Sequence, residues 1–424
     1  MKQIIFSVLL CWCSASFSQE LLTLQVCLDM AERNSLQIAA ESALLKSSQV
    51  ENQFHWWSLL PDLSGTTGLN TSFGRRLDPF TNTFATSSVN SQSFGLNSNV
   101  QLFNGFAYFH KRNKFAGRIQ LDELQLSAKR NELYIRVIEE FIALAKLSVQ
   151  VRLSEARIEI YEQIQNIQKL LLKEGRTHAI DTLKSHQSLL TEQGLLLKLS
   201  HESNLKNIQL NFLVGLPLRT EHLPDITSIS SIIEKPRFTG AYQAEALEME
   251  EILLDYQLKT DRAEFLPVIS LNGLVGTGFS TNNKDYLSPG NPTKPYRSQI
   301  RENLYEGIGF YLSVPVFNRG EWLKTKQLHA IRKTELTEKR ELAEKTLEKQ
   351  KLEQEQKQLN AKAALELNKR LTANLEMIRT KSLLLYETGR LTYTELETVL
   401  LDWQQKQVET ELLKLDYELL QLIE

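Results

Sequence analysis

The chain has 424 residues, 42% of them hydrophobic and 24% charged, and its 49 Lys and Arg against 51 Asp and Glu leave a formal net charge of −2. That length ordinarily makes two or three soluble domains, and the balanced charge removes any electrostatic case for nucleic acid as a partner. Of the three cysteines, Cys11 and Cys13 lie in an amino-terminal segment expected to be removed, so the mature chain keeps Cys27 alone and cannot form an internal disulfide.

Residues 1–18 read as a secretory signal: Lys2 precedes an apolar run from Ile4 to Trp12, followed by Ser14-Ala15-Ser16-Phe17-Ser18, with cleavage expected near Ser18 or Gln19. Cys13 follows Trp12 and Cys11 follows Leu10, so neither has the small preceding residue of an acylated cysteine, and no acyl anchor is expected. Nothing later offers about 18 consecutive apolar residues. A membrane span, if there is one, must therefore be a β-barrel, because lipid leaves no other way to satisfy every backbone polar group.

The first structural repeat is expected over 19–216. A helix runs from Leu24 to Leu59, and Trp56 and Trp57 stand at its end. A β-hairpin follows at about 62–103. Leu63, Leu69 and Phe73 alternate with Ser64, Thr66, Asn70 and Ser72 on its first strand, and Phe94, Leu96, Val100 and Leu102 alternate with Ser93, Asn97, Asn99 and Gln101 on its second. The polar segment Gly74 to Asn90 between them reads as an exterior loop. Phe103, Phe106, Tyr108 and Phe109 follow the second strand, and from Gly105 to Glu174 there is no proline and apolar residues recur at helical spacing, as at Ile160, Ile164, Ile167 and Leu171. A helix of that length spans about 100 Å. It ends at Gly175-Arg176, the tip of a helical hairpin.

A proline-bearing linker is expected over 217–240, with Pro217, Pro224 and Pro236. The second repeat, 241–424, follows the same plan. A helix covers Ala241 to Leu266. A hairpin at about 267–317 carries Ile269, Leu271, Val275 and Phe279 on one strand and Ile308, Phe310, Leu312, Val314 and Val316 on its return, with a polar loop from Thr281 to Arg301 between. Phe265, Phe317 and Trp322 take places matching the aromatics of the first half. A second long helix reaches from about Gly320 to Thr388, its charged run Arg332 to Lys362 reading as a solvated coiled-coil face, and the tip falls at Gly389-Arg390.

The landmarks fix the repeat. Leu60-Pro61 and Leu266-Pro267 lie 206 apart, whereas Phe103-Asn104 and Phe317-Asn318, and again Gly175-Arg176 and Gly389-Arg390, lie 214 apart, so the extra length falls between the two strands of the second hairpin. Asp181 and Glu395 each stand six residues beyond their glycine. Two readings are open for this pair: acidic rings at a pore entrance, or first-turn acids favoured by the helix dipole. The alternating strands likewise fit a lipid-facing barrel or a half-buried soluble sheet. The aromatics at one end of the hairpins resemble an interfacial belt, with a strand–helix core cap as the plainer reading. Four strands cannot close a membrane barrel; two copies give eight strands with a filled interior, and three give twelve with room for water.

In order and spacing, the signal, the duplicated Leu-Pro strand starts, the strand ends Leu102-Phe103-Asn104-Gly105 and Val316-Phe317-Asn318-Arg319-Gly320, and the tips Glu174-Gly175-Arg176 and Glu387-Thr388-Gly389-Arg390 resemble the TolC family of outer-membrane efflux proteins over essentially the whole mature chain. The resemblance implies a mainly α fold of two tandem repeats. It further implies a homotrimer with a 12-stranded outer-membrane β-barrel on a long periplasmic α-helical barrel, embedded in outer-membrane lipid. A periplasmic adaptor opens the duct at the tips Gly175, Arg176, Gly389 and Arg390, and an inner-membrane pump supplies the energy. Asp181 and Glu395 match the family's acidic positions near the entrance, although Glu395 replaces the usual aspartate and Thr398 stands where a further aspartate can occur.

Enzyme motifs are absent from the sequence. Gly273, Gly276 and Gly278 lack the Lys-Ser/Thr of a phosphate loop and read as close strand packing, and His178 and His186 fit no zinc pattern, so no catalytic residue, metal or cofactor is expected. A soluble periplasmic coiled-coil scaffold is the alternative to the duct, one that leaves the amphipathic hairpins unexplained.

Overall fold

The computed structural model describes residues 21–422 apart from 78–81, 86–87, 176–177, 232–234 and 389. The expected signal segment 1–18 and the tip residues Arg176 and Gly389 therefore lie outside the described residues. In chain order the elements are β1 (Leu21–Leu22), α1 (Leu24–Asn34), α2 (Leu36–Phe54), β2 (Asp62–Ser72), β3 (Arg76–Leu77), β4 (Phe84–Ala85), β5 (Val89–Asn104), α3 (Ala107–Lys173), α4 (Ala179–Val214), β6 (Leu223–Pro224), α5 (Thr239–Ala263), β7 (Val268–Ser280), α6 (Tyr296–Glu302), β8 (Tyr305–Ser313), α7 (Glu321–Glu387) and α8 (Tyr393–Leu422), with 3₁₀ turns at His55–Leu59 and Ile226–Ser231. The fold is mainly helical and runs through the same plan twice. It divides into two compact units, 1–41 with 126–243 and 343–424, and 42–125 with 244–342, so each unit draws on both repeats.

The sheet-bearing unit holds the four long strands in the order β2-β5-β7-β8, every neighbour antiparallel. At its two strand-to-helix junctions the chain turns through two consecutive left-handed residues: Gly105 and Phe106 have φ of 64° and 67°, and Arg319 and Gly320 have φ of 56° and 78°. The glycine leads in one junction and trails in the other. A β-carbon on Gly105 would meet the Ala263 carbonyl oxygen at 2.7 Å, which is why the first position of that junction admits nothing larger.

In the other unit, α3 and α4 run antiparallel. Ser154 donates to Glu192 at 2.8 Å, Lys206 pairs with Glu140 at 2.8 Å, and the Gln165 amide contacts His186 at 2.6 Å. The pair α7 and α8 is joined likewise, by Asn368 to Thr410 at 2.9 Å and by Gln354 to the Leu420 carbonyl at 2.6 Å. Leu24, Cys27, Leu28 and Ala31 bury the inner face of α1 with Leu210 and Val214 of α4 and Ile229 of the linker. Burial in this apolar setting pushes the Cys27 thiol up to about 12. The linker is pinned at both ends: β6 pairs with β1, and Asn131 both donates to the Arg237 carbonyl and accepts from its amide, each at 2.7 Å.

Four expectations are corrected. The helix expected from Leu24 to Leu59 breaks at Ser35, whose backbone turns extended (φ −68°, ψ 117°) while its hydroxyl caps the Ile38 amide, and it closes in a 3₁₀ turn after Phe54. The return strand stops at Ser313, leaving Val314 and Val316 outside the ladder, because Pro315 has no amide to donate. The loop from Thr281 to Arg301 contains α6, and the helix expected over Ala241 to Leu266 is Thr239–Ala263.

Candidate functional site

The register of the sheet sorts its side chains onto two faces, since residues directly opposite in an antiparallel pair point the same way. Leu96 lies opposite Val275, Phe94 opposite Thr277, Val100 opposite Leu271, Leu271 opposite Phe310, and Ile269 opposite Leu312. Leu63 and Leu69 of β2 share this face, as does Ile308. The other face pairs Asp62 with Asn99, Ser64 with Asn97, Asn99 with Asn272 and Ser270 with Tyr311. One side is therefore mainly apolar and the other mainly polar, the exceptions including Glu306 opposite Val275 on the first and Leu274 opposite Asn97 on the second. The apolar side is not a core: Leu69 is 79% exposed, Ile308 82% and Phe310 73%. Within the chain β2 and β8 each pair along one edge only, so two rows of backbone donors and acceptors are left for something else.

A bulge in β5 decides which aromatic completes the apolar face. Pairing with β7 shifts between Gln101 and Phe103, so Leu102 is the extra residue and Phe103 takes the place opposite Ile269. This corrects the simple alternation that put Leu102 there. Phe103 is the first of an aromatic chain, 5.2 Å from Phe106, which lies 6.4 Å from Phe109. Trp56 and Trp57 are about half exposed and 5.5 Å apart, Phe317 is 84% exposed, and Phe265 and Trp322 pack at 5.5 Å. Of the β7 glycines Gly276 is closely packed: the Tyr305 ring lies over it, and a β-carbon there would come within 2.4 Å of that ring, whereas one on Gly273 would meet only Ser98 at 3.9 Å.

At the α3–α4 turn Gly175 takes φ 71° and its amide bonds the Leu172 carbonyl at 3.1 Å. His178 is the N-cap of α4 without a side-chain cap bond, and Asp181 is the third residue of that helix. The α7–α8 turn is better fastened. The Arg390 amide reaches the Leu385 carbonyl at 2.9 Å, and Thr392 and Glu395 form a reciprocal capping box. The Glu395 carboxylate accepts from the Thr392 amide at 2.9 Å and hydroxyl at 2.6 Å, and the Glu395 amide points to the Thr392 hydroxyl at 3.4 Å. Hydrogen bonds from the Thr392 hydroxyl, then its amide, hold the exposed Glu395 carboxyl below the usual carboxylate value. Two residues on, burial raises Glu397. The Thr398 hydroxyl is turned back on the Thr394 carbonyl at 3.0 Å.

No protein-family model matches the chain. It is 22% identical over 343 residues to the pyoverdine export outer membrane protein OpmQ of Pseudomonas putida, an alignment covering 77% of this chain and 68% of that protein. Its structure superposes on that of CusC, studied for its folding and transmembrane channel formation, with a TM-score of 0.74 at 16% identity, covering 95% of this chain and 92% of that one. The outer membrane protein VceC of Vibrio cholerae gives 0.70 at 15% identity over 94% and 95% of the chains, and the Campylobacter jejuni CmeC outer membrane channel 0.72 at 13% over 94% and 84%. The chain has the TolC-family fold.

On that fold Gly175 and Arg390 fall at the α3–α4 and α7–α8 turns, with Asp181 and Glu395 at the same position of their helices, and the expected aromatics gather where the strands meet the helices. Sequence reasoning missed the Thr392 capping box, although Thr-x-x-Glu before a helix is its signature. It also missed a second aromatic pair of the TolC-family sheet, Phe279 with Tyr296 at 5.1 Å, at the loop end of β7.

Proposed function

We propose that this chain is one protomer of a passive outer-membrane exit duct for efflux or secretion, carried in the outer membrane and extending into the periplasm. The observation that carries it is the sheet with one exposed apolar face, one polar face and two free edges. Water is the wrong solvent for Ile308, Phe310 and Leu69 together, and lipid the right one. No described helix is long and apolar enough to cross a membrane, which leaves the strands. Three copies give a closed 12-stranded barrel with a wet interior, whereas two give a filled one. A soluble scaffold gains nothing from such a sheet.

The name of the OpmQ relative, an export protein of the outer membrane, supports the same reading. In it a periplasmic adaptor docks on the hairpin tips Gly175, Arg176, Gly389 and Arg390, an inner-membrane pump supplies the energy, and Asp181 and Glu395 place carboxylates at the entrance. The polar face, rich in Ser, Asn and Thr, lines the passage and does no chemistry of its own. The test is the purified full chain in planar bilayers: the duct predicts discrete conductance steps from a species cross-linkable to trimers. A cross-linked monomer without conductance would rule it out.

A further inference from the structure

The loop end of the β7–β8 hairpin is a built cap. Gln299 of α6 is fully buried; its side chain donates to the Ser280 and Lys294 carbonyls at 3.0 and 2.9 Å and accepts from the Ser280 amide at 2.9 Å. Asn303 bonds the Gly278 carbonyl at 2.7 Å. The side chains that meet α6 identify the face it covers. The Thr277 hydroxyl bonds the Ile300 carbonyl, Phe279 packs on Tyr296, and the Tyr296 hydroxyl bonds Gln92 at 2.8 Å. Thr277, Phe279 and Gln92 all belong to the register of Phe94, Leu96 and Val275, which is the apolar face. The short helix thus lies on the side that faces lipid.

With Gln299 turned inward, Arg297 and Arg301 sit two residues to either side of it, on the opposite face of the helix, and both are exposed. The neighbouring cations have partners: Lys294 pairs with Glu302 at 2.9 Å, Glu302 also accepts from Ser298, and Lys284 donates to the Thr293 hydroxyl at 2.7 Å. Among the described residues no ion pair engages Arg297 or Arg301. Tyr286 and Leu287 of the same cap are 74% and 99% exposed. An amphipathic aromatic, an apolar side chain and two exposed guanidinium groups on the lipid side of a barrel rim are the chemistry that meets phosphate-bearing headgroups, because guanidinium binds phosphate in bidentate fashion.

We infer that the α6 cap is a lipid-recognition surface, on which Arg297 and Arg301 engage the phosphates of an anionic glycolipid in the outer leaflet. The inference rests on the duct reading, and its test separates the two. Flotation of the full chain with phosphatidylcholine vesicles, which carry no net charge, reads insertion of the sheet alone. Native mass spectrometry of the detergent-solubilised assembly, titrated with bisphosphorylated lipid A, then reads the cap. Arg297→Ala with Arg301→Ala is expected to float normally and to bind lipid A about thirtyfold more weakly, at roughly fivefold per arginine, while the double Lys variant, which keeps the charge but loses the bidentate fork, recovers only part of the affinity. Dephosphorylated lipid A is expected to bind wild type as weakly as lipid A binds the alanine variant. Equal binding of lipid A by variant and wild type, or undiminished binding of the dephosphorylated lipid, overturns the inference and leaves the duct intact. Loss of trimers in the alanine variant overturns it too, in favour of a contact between copies. A chain that does not float removes both.

Discussion

Ser154 and Asn368, separated by the 214-residue repeat, do the same work in the two halves: each is buried on a long helix and donates to the carbonyl of the equivalent residue on the returning helix, Glu192 at 3.5 Å and Lys406 at 3.4 Å. The duplication therefore preserves the contact while changing the side chain that makes it. Each adds a second bond suited to its chemistry, Ser154 to the Glu192 carboxylate and Asn368 to the Thr410 hydroxyl.

Truncating Ser154 removes a donor from the buried Glu192 carboxylate, whereas truncating Asn368 leaves the Lys406 carbonyl still bonded by the Thr372 and Thr410 hydroxyls. Ser154→Ala is expected to cost about 1–3 kcal/mol and Asn368→Ala about 0.5–1.5 kcal/mol. Replacing Asn368 and Thr410 together by Leu and Val is expected to cost less than the two single changes added, which a double-mutant cycle by guanidinium unfolding in detergent measures.

The second tip titrates in two directions. Glu395, held low by Thr392, contributes stability that is present above its ordinary value of 4.5 and is lost as pH falls through its lowered value. Glu397, raised by burial, has the opposite sign: it favours the folded state below 4.5 and loses that contribution as pH rises through its raised value. Glu395→Ala is expected to abolish the acid limb and free the Thr392 amide that its carboxylate caps. Hydrogen exchange of residues 392–397, corrected for intrinsic rates, checks both.

Cys27 should be inert. A fully buried thiol raised to about 12 carries almost no thiolate at neutral pH, so maleimide labelling of the folded chain is expected only on the timescale of unfolding, and promptly in denaturant.

The two junction glycines are expected to differ. Gly320→Ala meets only the left-handed strain of about 1–2 kcal/mol. Gly105→Ala adds a contact at 2.7 Å with the Ala263 carbonyl oxygen and is expected to cost more, read as a lower unfolding midpoint in detergent.

Much of this fold is legible in residue order because its signals are periodic and repeated. Proline-free runs place α3 and α7 within two residues of their ends, and two-residue alternation assigns Leu63, Phe94, Leu271 and Phe310 to one face. What stayed hidden depends on partners distant in sequence. The bulge at Leu102 exists only against β7, α6 is held by Gln299 reaching back to Ser280, and Ser35 breaks a helix that its neighbours would continue. The strand end at Ser313 was readable, since Pro315 cannot donate; apolar alternation through Val316 outweighed it.

The central claim is that the sheet has one face for lipid and one for water, and adjacent residues of β8 test it. Phe310 lies on the apolar face and Tyr311 on the polar one. Phe310→Arg is expected to cost about 2–4 kcal/mol in the apolar band and to block assembly into membranes, whereas Tyr311→Arg assembles and changes only the conductance. The measurement is the fraction of each variant recovered as cross-linkable trimer in the outer-membrane fraction. Equal recovery of the two, or loss of Tyr311→Arg alone, would contradict the account.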